Sequence, residues 1–129
     1  MDSIGDMLVR IMSAIRVRKE TVDIPHSNLK EAMAKIMLGE GYIGKCDTFA
    51  RMNKKYLRLG LKYMEDKKSI IVGMKRVSRP GRRVYVNARS VPRVQAGFGT
   101  AILSTPEGLM TDEGARGKKL GGEVVCYVW

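Results

Sequence analysis

The apolar residues of this chain follow two different spacings, and the change from one to the other limits the folds it can adopt. Near the start they recur at three- and four-residue steps, at Ile4, Met7, Leu8, Ile11 and Ile15. This is the period of an amphipathic helix, with Asp2 and Ser3 as candidate caps. A second helix is predicted after Pro25, with Asn28 as its cap and Glu31 completing a capping box. Its apolar stripe would contain Leu29, Ala32, Met33, Ile36 and Met37.

Elsewhere the apolar residues alternate or run together, which is typical of strands. In the first half this predicts strands over residues 21–25, 42–46 and 57–63. In the second half it predicts strands over residues 69–77, 84–86, 100–103 and 124–129, and a short helix over 111–119 capped by Thr111. We expect the strands over 69–77 and 84–86 to form a hairpin around Arg79-Pro80-Gly81-Arg82. The pattern predicts an α+β fold.

The apolar alternation stops at Asp66-Lys67-Lys68. A composition shift of this kind marks a boundary between structural units. We therefore predict two small domains: residues 1–66, ordered helix, strand, helix, strand, strand, and residues 67–129, rich in strands with one short helix.

The second half is basic because acidic residues are missing from it locally. From Lys67 to Pro106, both included, there is no Asp or Glu, but there are nine Lys and Arg residues. The whole chain has 24 Lys and Arg against 13 Asp and Glu, a net charge of +11. Such a surface favours a polyanion such as nucleic acid, although runs of charge are often only solvent-facing.

Other functional classes find little support in the sequence. Cys46 and Cys126 are far apart and there is one His, so we expect buried thiols, no metal site and no cofactor. The start of the chain lacks the pattern of a signal peptide and no apolar run is long enough to span a membrane. We expect a cytoplasmic protein with no membrane partner.

The chain also lacks a convincing catalytic motif. The residues from Gly39 to Gly44 match G-x-G-x-x-G, but they follow a predicted helix and open a strand, the reverse of the dinucleotide-binding order. His26 is the only His available as a base, and we predict that its role is structural. We expect no enzymatic activity and no small-molecule substrate.

Several segments, in order, resemble the family of ribosomal protein eight of the small subunit, in its bacterial form. The C-terminal ones are Lys75 to Tyr85 with Arg79-Pro80-Gly81-Arg82 at their centre, Ser104-Thr105, Gly108 to Asp112, and Gly121 to Trp129. The upstream ones are Asp6-Met7-Leu8, Ile24 to Ser27 and Glu40 to Ile43. The resemblance covers essentially the whole chain.

The resemblance implies a two-domain protein that binds the central domain of small-subunit ribosomal RNA directly, supports assembly and contacts neighbouring ribosomal proteins. In bacteria the family also represses translation of its own operon by binding the messenger RNA. Its Ser-Thr-Ser loop, followed by a basic or polar residue and Gly, enters the RNA minor groove, so Ser104, Thr105 and Gly108 carry over. Here Pro106 and Glu107 replace a common Ser and a frequent cation. We expect Glu107 to stiffen the turn or cap a helix instead of contacting RNA.

The residue types in this half fit RNA on physical grounds. Hydroxyls on a narrow turn reach the 2′-hydroxyls and base edges of a shallow minor groove. We expect Arg79, Arg82 and Arg83 to neutralise phosphates. Tyr85 either stacks on an unpaired base or packs on its own sheet. The remaining candidates are expected to shape the turn, with a carboxylate holding it rigid and glycines allowing close approach: Glu123, Gly121 and Gly122.

Two other functions stay open from the sequence. A basic architectural protein would bind duplex DNA and RNA alike, whereas an RNA reader discriminates through the 2′-hydroxyl. An enzyme acting on nucleic acid is disfavoured by the missing metal and base residues. We also expect cations of the first half to contact RNA backbone, at Arg16, Arg18, Lys19, Lys54 and Lys55.

Overall fold

Helices and strands of the predicted α+β fold are present in the computed structural model, which describes residues 2–129. The helices are α1 (Ser3–Arg16), α2 (Asn28–Gly39) and α3 (Asp112–Lys118). The strands are β1 (Thr21–Pro25), β2 (Ile43–Arg51), β3 (Lys54–Leu61), β4 (Met74–Arg76), β5 (Tyr85–Val86), β6 (Thr100–Thr105), β7 (Gly108–Thr111) and β8 (Gly122–Val128).

The described chain forms two compact units. We call Ile4–Val72 the N-terminal unit, and residues 2–3 together with Gly73–Trp129 the C-terminal unit. Each unit contains one antiparallel sheet. A boundary between residues 66 and 67, in the sense of separately folding domains, stays a prediction.

In the N-terminal unit the sheet has the order β1-β3-β2. Apolar residues of α1 and α2 and of one face of the sheet are buried together, among them Met7, Ile11, Ile24, Met33, Met37, Leu57 and Leu59. The predicted stripe of α1 is confirmed at four of its five positions, with Ala14 buried where Ile15 was expected. One side of each helix, where side chains recur every 3.6 residues, thus covers one face of the sheet, where every second side chain points.

The start of α2 differs from the prediction by one residue. Its N-cap is Ser27, whose Oγ accepts a hydrogen bond from the Lys30 amide at 3.1 Å. Asn28 is already helical. The buried stripe also differs from the prediction, because Leu29 is exposed and Lys30 is buried. Desolvation lowers the pKa of Lys30. Ser and Asn are equally good caps, which is why the sequence did not separate them.

In the C-terminal unit the sheet has the order β4-β8-β6-β7, and β5 also pairs with β8. β4 and β5 thus lie along the same edge of β8, rather than pairing with each other as the predicted hairpin. The Pro80-Gly81 turn is confirmed, because the backbones of Arg79 and Arg82 exchange two hydrogen bonds of 2.9 Å.

The strand predicted over residues 69–77 contains only Met74–Arg76. Before it, the chain pairs locally, with the Ile70 amide donating to the Lys62 carbonyl at 3.0 Å. The chain reaches the edge of β8 at Gly73, which exchanges two backbone hydrogen bonds with Trp129. A Cβ at residue 73 would overlap the Trp129 ring, so this junction requires glycine.

The third helix packs on this sheet and is fixed by its own polar side chains. Thr111 is the predicted N-cap, its Oγ1 accepting from the Gly114 amide at 3.0 Å. The carboxylate of Asp112 is buried and accepts from the Ala101 amide at 3.1 Å and from Arg116 at 2.8 Å. Around it lies the core of the unit, formed by Val91, Val94, Ala101, Leu103, Ala115 and Val124. The helix thereby holds β6 and its turn in place.

Candidate nucleic-acid interface

The hydroxyl turn, residues 104–108, connects β6 to β7. Thr105 lies opposite Gly108 in the strand register, so Pro106 and Glu107 form a two-residue turn. Thr105 Oγ1 donates to the Gly108 carbonyl at 2.7 Å and accepts from the Glu107 amide at 3.2 Å. Gly108 has φ +107, a conformation that favours glycine. The Thr105 hydroxyl is therefore engaged in shaping the turn, whereas the side chain of Ser104 is exposed.

Glu107 lies in this turn, and its carboxylate is 3.6 Å from the Lys118 ammonium group of α3. The exposed pair is worth at most about 1 kcal/mol. Its effect here is local, since a nearby cation offsets the negative charge beside Ser104.

Three candidate residues form one row across three strands. Tyr85 lies opposite Glu123 in the pairing of β5 with β8, and Glu123 lies opposite Ser104 in the pairing of β8 with β6. Directly opposed residues on antiparallel strands have side chains on the same face. The next residues along β6 and β8, Leu103 and Val124, are buried on the other face. The fold thus gathers an aromatic ring, a carboxylate and a hydroxyl on one face.

Within this row the carboxylate is held by an arginine. Glu123 Oε2 accepts a hydrogen bond from Arg83 Nη1 at 3.2 Å, and the Glu123 side chain is only 19% exposed. Glu123 is thus paired with a cation, and its role in holding the turn rigid stays a prediction. Tyr85 is 70% exposed, so most of its ring is open to solvent.

Gly121 and Gly122 bring neighbouring strands close to β8. A Cβ on Gly122 would collide with the Ser104 carbonyl oxygen and lie 3.1 Å from the Thr105 Cα. A Cβ on Gly121 would collide with the Val86 carbonyl oxygen. Both glycines therefore set the spacing between strands, and Gly122 does so directly behind the hydroxyl turn.

The arginine turn, residues 79–82, lies at the edge of β8 next to this row. Ser78 is fully buried at its base, where its Oγ accepts from the Val84 amide at 2.8 Å and donates to the Val84 carbonyl at 3.3 Å. The Val84 carbonyl also accepts from the Val124 amide of β8 at 2.9 Å. Arg79 and Arg82 are exposed at the tip, beside a pocket of about 340 Å³ that Lys75 and Tyr127 also line. Sequence reasoning missed Ser78, because nothing in its type signals burial.

The alternative catalytic candidates are accounted for by structure. His26 Nε2 lies 2.7 Å from Glu31 Oε1 at the start of α2. Hydrogen bonds with His26 and then with Lys35 lower the pKa of Glu31. Cys126 is buried as predicted, and burial raises its pKa to about 12. Cys46 is half-buried instead of buried, and desolvation raises its pKa as well.

No helix within residues 2–129 is long and apolar enough to cross a membrane. Within the same residues, no cluster of three or more His, Cys, Asp or Glu side chains could hold a metal ion.

Sequence comparison assigns the family. The model of the family described as ribosomal protein S8 matches residues 2–129. The chain is 51% identical over 128 residues to small ribosomal subunit protein uS8 of Dictyoglomus turgidum, which covers 99% of the chain and 97% of that relative. It is 51% identical over 131 residues to the uS8 protein of Petrotoga mobilis (99% and 98%) and 48% identical over 128 residues to that of Syntrophomonas wolfei (99% and 97%). The chain therefore belongs to the ribosomal protein S8 family, whose members are structural proteins of the small ribosomal subunit and not enzymes.

Proposed function

We propose that this protein binds the central domain of small-subunit ribosomal RNA directly, through the exposed row of Tyr85, Glu123 and Ser104 and the adjoining arginine turn. By holding that RNA it supports assembly of the small subunit, in the cytoplasm. The observation that supports the proposal is the row itself, because an exposed hydroxyl and an exposed aromatic ring lie on one face, beside exposed cations.

The three kinds of group have different tasks on RNA. The Ser104 hydroxyl and the main chain of the turn reach into a shallow minor groove and contact 2′-hydroxyls and base edges. Tyr85 stacks on an unpaired base, a contact worth about 1–3 kcal/mol. Arg79 and Arg82 neutralise phosphates and fix the register. Thr105, Gly108, Gly121 and Gly122 act indirectly, by shaping the turn and its distance from β8.

Glu123 is a positioning residue in this account. A bare carboxylate at the centre of the surface would repel phosphates, but its hydrogen bond with Arg83 offsets that charge. The pair also restrains the Arg83 side chain close to Tyr85. Arg83 is 50% exposed, so part of its guanidinium remains available to a phosphate.

The same surface accounts for the expected repression of the protein's own operon. A messenger RNA that copies the irregular ribosomal stem would compete for the same row. We therefore propose one binding site for both RNAs, so that each displaces the other from the purified protein.

A competition assay tests the RNA assignment. A labelled RNA stem with an irregular internal loop from the central domain is bound at fixed salt and displaced by unlabelled stem or by a DNA duplex of equal length. We expect the RNA to compete at least about a thousandfold better, the lower range for specific over non-specific binding. Equal competition by the DNA duplex would support a general architectural protein and contradict the proposal.

A further inference from the structure

A groove in the N-terminal unit is lined by residues that do not belong to the row around Ser104 or to the arginine turn, although it includes Lys19, one of the cations expected from the sequence to contact RNA backbone. It has a volume of about 710 Å³ and runs between α1 and β1. It is lined by Val9, Arg10 and Ser13 of α1, by Val17 just after that helix, and by Thr21 and Asp23 of β1. Val9 of α1 and Val17, which follows the helix, are 63% and 65% exposed.

The strand that borders this groove is the edge of its sheet, because the order is β1-β3-β2. The Leu61 amide donates to the Glu20 carbonyl at 2.8 Å, and the His26 amide donates to the Lys55 carbonyl at 3.0 Å. Even-numbered residues of this segment therefore bond to β3. In an antiparallel ladder the alternate residues direct their main-chain groups the other way. Thr21 and Asp23 thus present N–H and C=O groups along the side of β1 that faces away from β3.

These two features together describe a site for an extended polypeptide. A strand added to a sheet edge gains affinity from main-chain hydrogen bonds, and its alternate side chains enter neighbouring pockets. Here the outward groups of Thr21 and Asp23 supply the hydrogen bonds, and Val9 and Val17 supply apolar contacts. Lys19 also lines the groove and suits a carboxylate. Pro25 lacks an N–H donor, so the added strand is short.

We propose that this groove binds an extended segment of another small-subunit protein, which adds a strand to β1. The segment alternates apolar residues, which face the two valines, with polar ones, and it carries an acidic residue near Lys19. RNA fits the groove less well, because one of its two cations, Arg10, is already bonded to Asp6 at 2.8 Å and phosphates gain little from exposed valines. The proposal rests on membership of the small subunit and is independent of the row around Ser104.

Hydrogen exchange of the segment from residue 17 to residue 25 tests the proposal in three preparations. These are the free protein, the protein bound to ribosomal RNA alone, and the complete small subunit. We expect the main-chain amides in this segment to exchange at least about tenfold more slowly in the complete subunit than in the other two. Equal exchange in all three, or slowing by ribosomal RNA alone, would overturn the proposal.

Two pairs of variants identify the contacts. Val17→Asp should abolish the slowing, whereas Met52→Asp, at a side chain that is 91% exposed on the β2–β3 turn, should leave it unchanged. Thr21→Pro removes an outward N–H and should also abolish it. Its control is Thr48→Pro on β2, the other edge strand, where Thr48 lies opposite Leu57 and likewise points its N–H outward. Slowing that persists in Val17→Asp and Thr21→Pro would contradict the proposal.

The variants also separate this proposal from the RNA assignment. All four changes lie at exposed positions and neither proline removes a ladder hydrogen bond, so each variant should be folded at the temperature of the exchange measurement, as its thermal unfolding curve will show. Their affinity for the ribosomal RNA stem should match it too. Loss of RNA affinity in Val17→Asp would mean that RNA occupies the groove, and this outcome would also overturn the proposal.

Discussion

Arg83 and Glu123 are joined by a hydrogen bond of 3.2 Å in the middle of the exposed row. Because the pair is partly exposed, it adds little to the free energy of unfolding, at most about 1 kcal/mol. Its consequence is electrostatic. The positive charge of Arg83 offsets the negative charge of Glu123 at the centre of a basic surface, and the carboxylate in turn offsets part of the arginine's charge. The arginines of this surface are therefore not equivalent.

This difference should appear in the salt dependence of RNA binding. Arg82→Ala should lower the slope of log K against log salt by about one, because one phosphate contact is lost. Arg83→Ala should lower it by clearly less, since part of its charge is already offset by Glu123. Binding titrations of the irregular RNA stem at several salt concentrations measure both. Equal losses of slope would show that the pair with Glu123 does not persist on RNA.

Ser78→Ala should destabilise the C-terminal unit. The change leaves the half-buried Val84 amide without its 2.8 Å partner, a loss worth about 0.5–1.5 kcal/mol. Trp129 is the only Trp of the chain and lies in this unit, so its fluorescence during denaturant unfolding reports the effect. Ser90→Ala is the control, because the Ser90 side chain is exposed. Matching unfolding midpoints for the two variants would argue against a role for Ser78 at the base of the turn.

Gly122→Ala and Gly117→Ala should have opposite effects. The first places a Cβ against the Ser104 carbonyl oxygen, so we expect it to weaken RNA binding and lower the free energy of unfolding. The second adds a Cβ within α3 with nothing nearby and should stabilise the unit by up to about 1 kcal/mol. Denaturant unfolding and RNA titration of both variants check this pair. Wild-type RNA affinity in Gly122→Ala would contradict a role for this strand spacing in RNA binding.

The two thiols should differ in reactivity. With a pKa of about 12, Cys126 is ionised to about one part in ten thousand at pH 8. A thiol reagent should therefore modify the half-buried Cys46 first and Cys126 only on unfolding, as mass spectrometry of the modified peptides will show. Cys46→Ser should remove the fast phase. Rapid labelling of Cys126 in the native protein would contradict its burial.

The same pKa shift predicts a loss of stability in alkali. The unfolded Cys126 thiol ionises near its ordinary pKa of 9.0, whereas the buried thiol stays protonated to a higher pH. The stability that the protonated, buried thiol contributes is therefore complete below its ordinary pKa of 9.0. It falls as the pH rises above 9.0 towards the pKa of the buried thiol. The free energies of unfolding of wild type and of Cys126→Ala, followed through Trp129 between about pH 8 and pH 11, should converge as the pH rises.

Local spacing predicted the elements with long or regular patterns, such as α1, β1 and β6. It missed β7, because Gly108-Leu109-Met110-Thr111 resembles a turn that leads into a helix. The strand is formed by tertiary pairing, with Met110 opposite Leu103 and Leu109 opposite Ser104. The predicted hairpin of β4 and β5 failed for the same reason, since sequence does not show that β8 offers its edge to both.

The sequence predicts the residues of the candidate site, but it does not predict how they are arranged. Sequence placed Tyr85, Ser104 and Glu123 in separate segments, and only the register of β5, β8 and β6 brings them into one row. The different tasks of neighbouring hydroxyls could not be predicted either. Thr105 is turned into the hairpin, where it bonds Gly108, and Ser104 is left on the outer face, because successive side chains of a strand point to opposite sides.

The most direct measurement is the affinity of Ser104→Ala for the irregular ribosomal RNA stem, compared with wild type and with Ser90→Ala at the same salt. Loss of one hydroxyl contact of about 0.5–1.5 kcal/mol should weaken binding roughly two- to tenfold. The free energy of unfolding should stay unchanged, and Ser90→Ala should bind like wild type. Wild-type affinity in Ser104→Ala would contradict the claim that this row reads RNA.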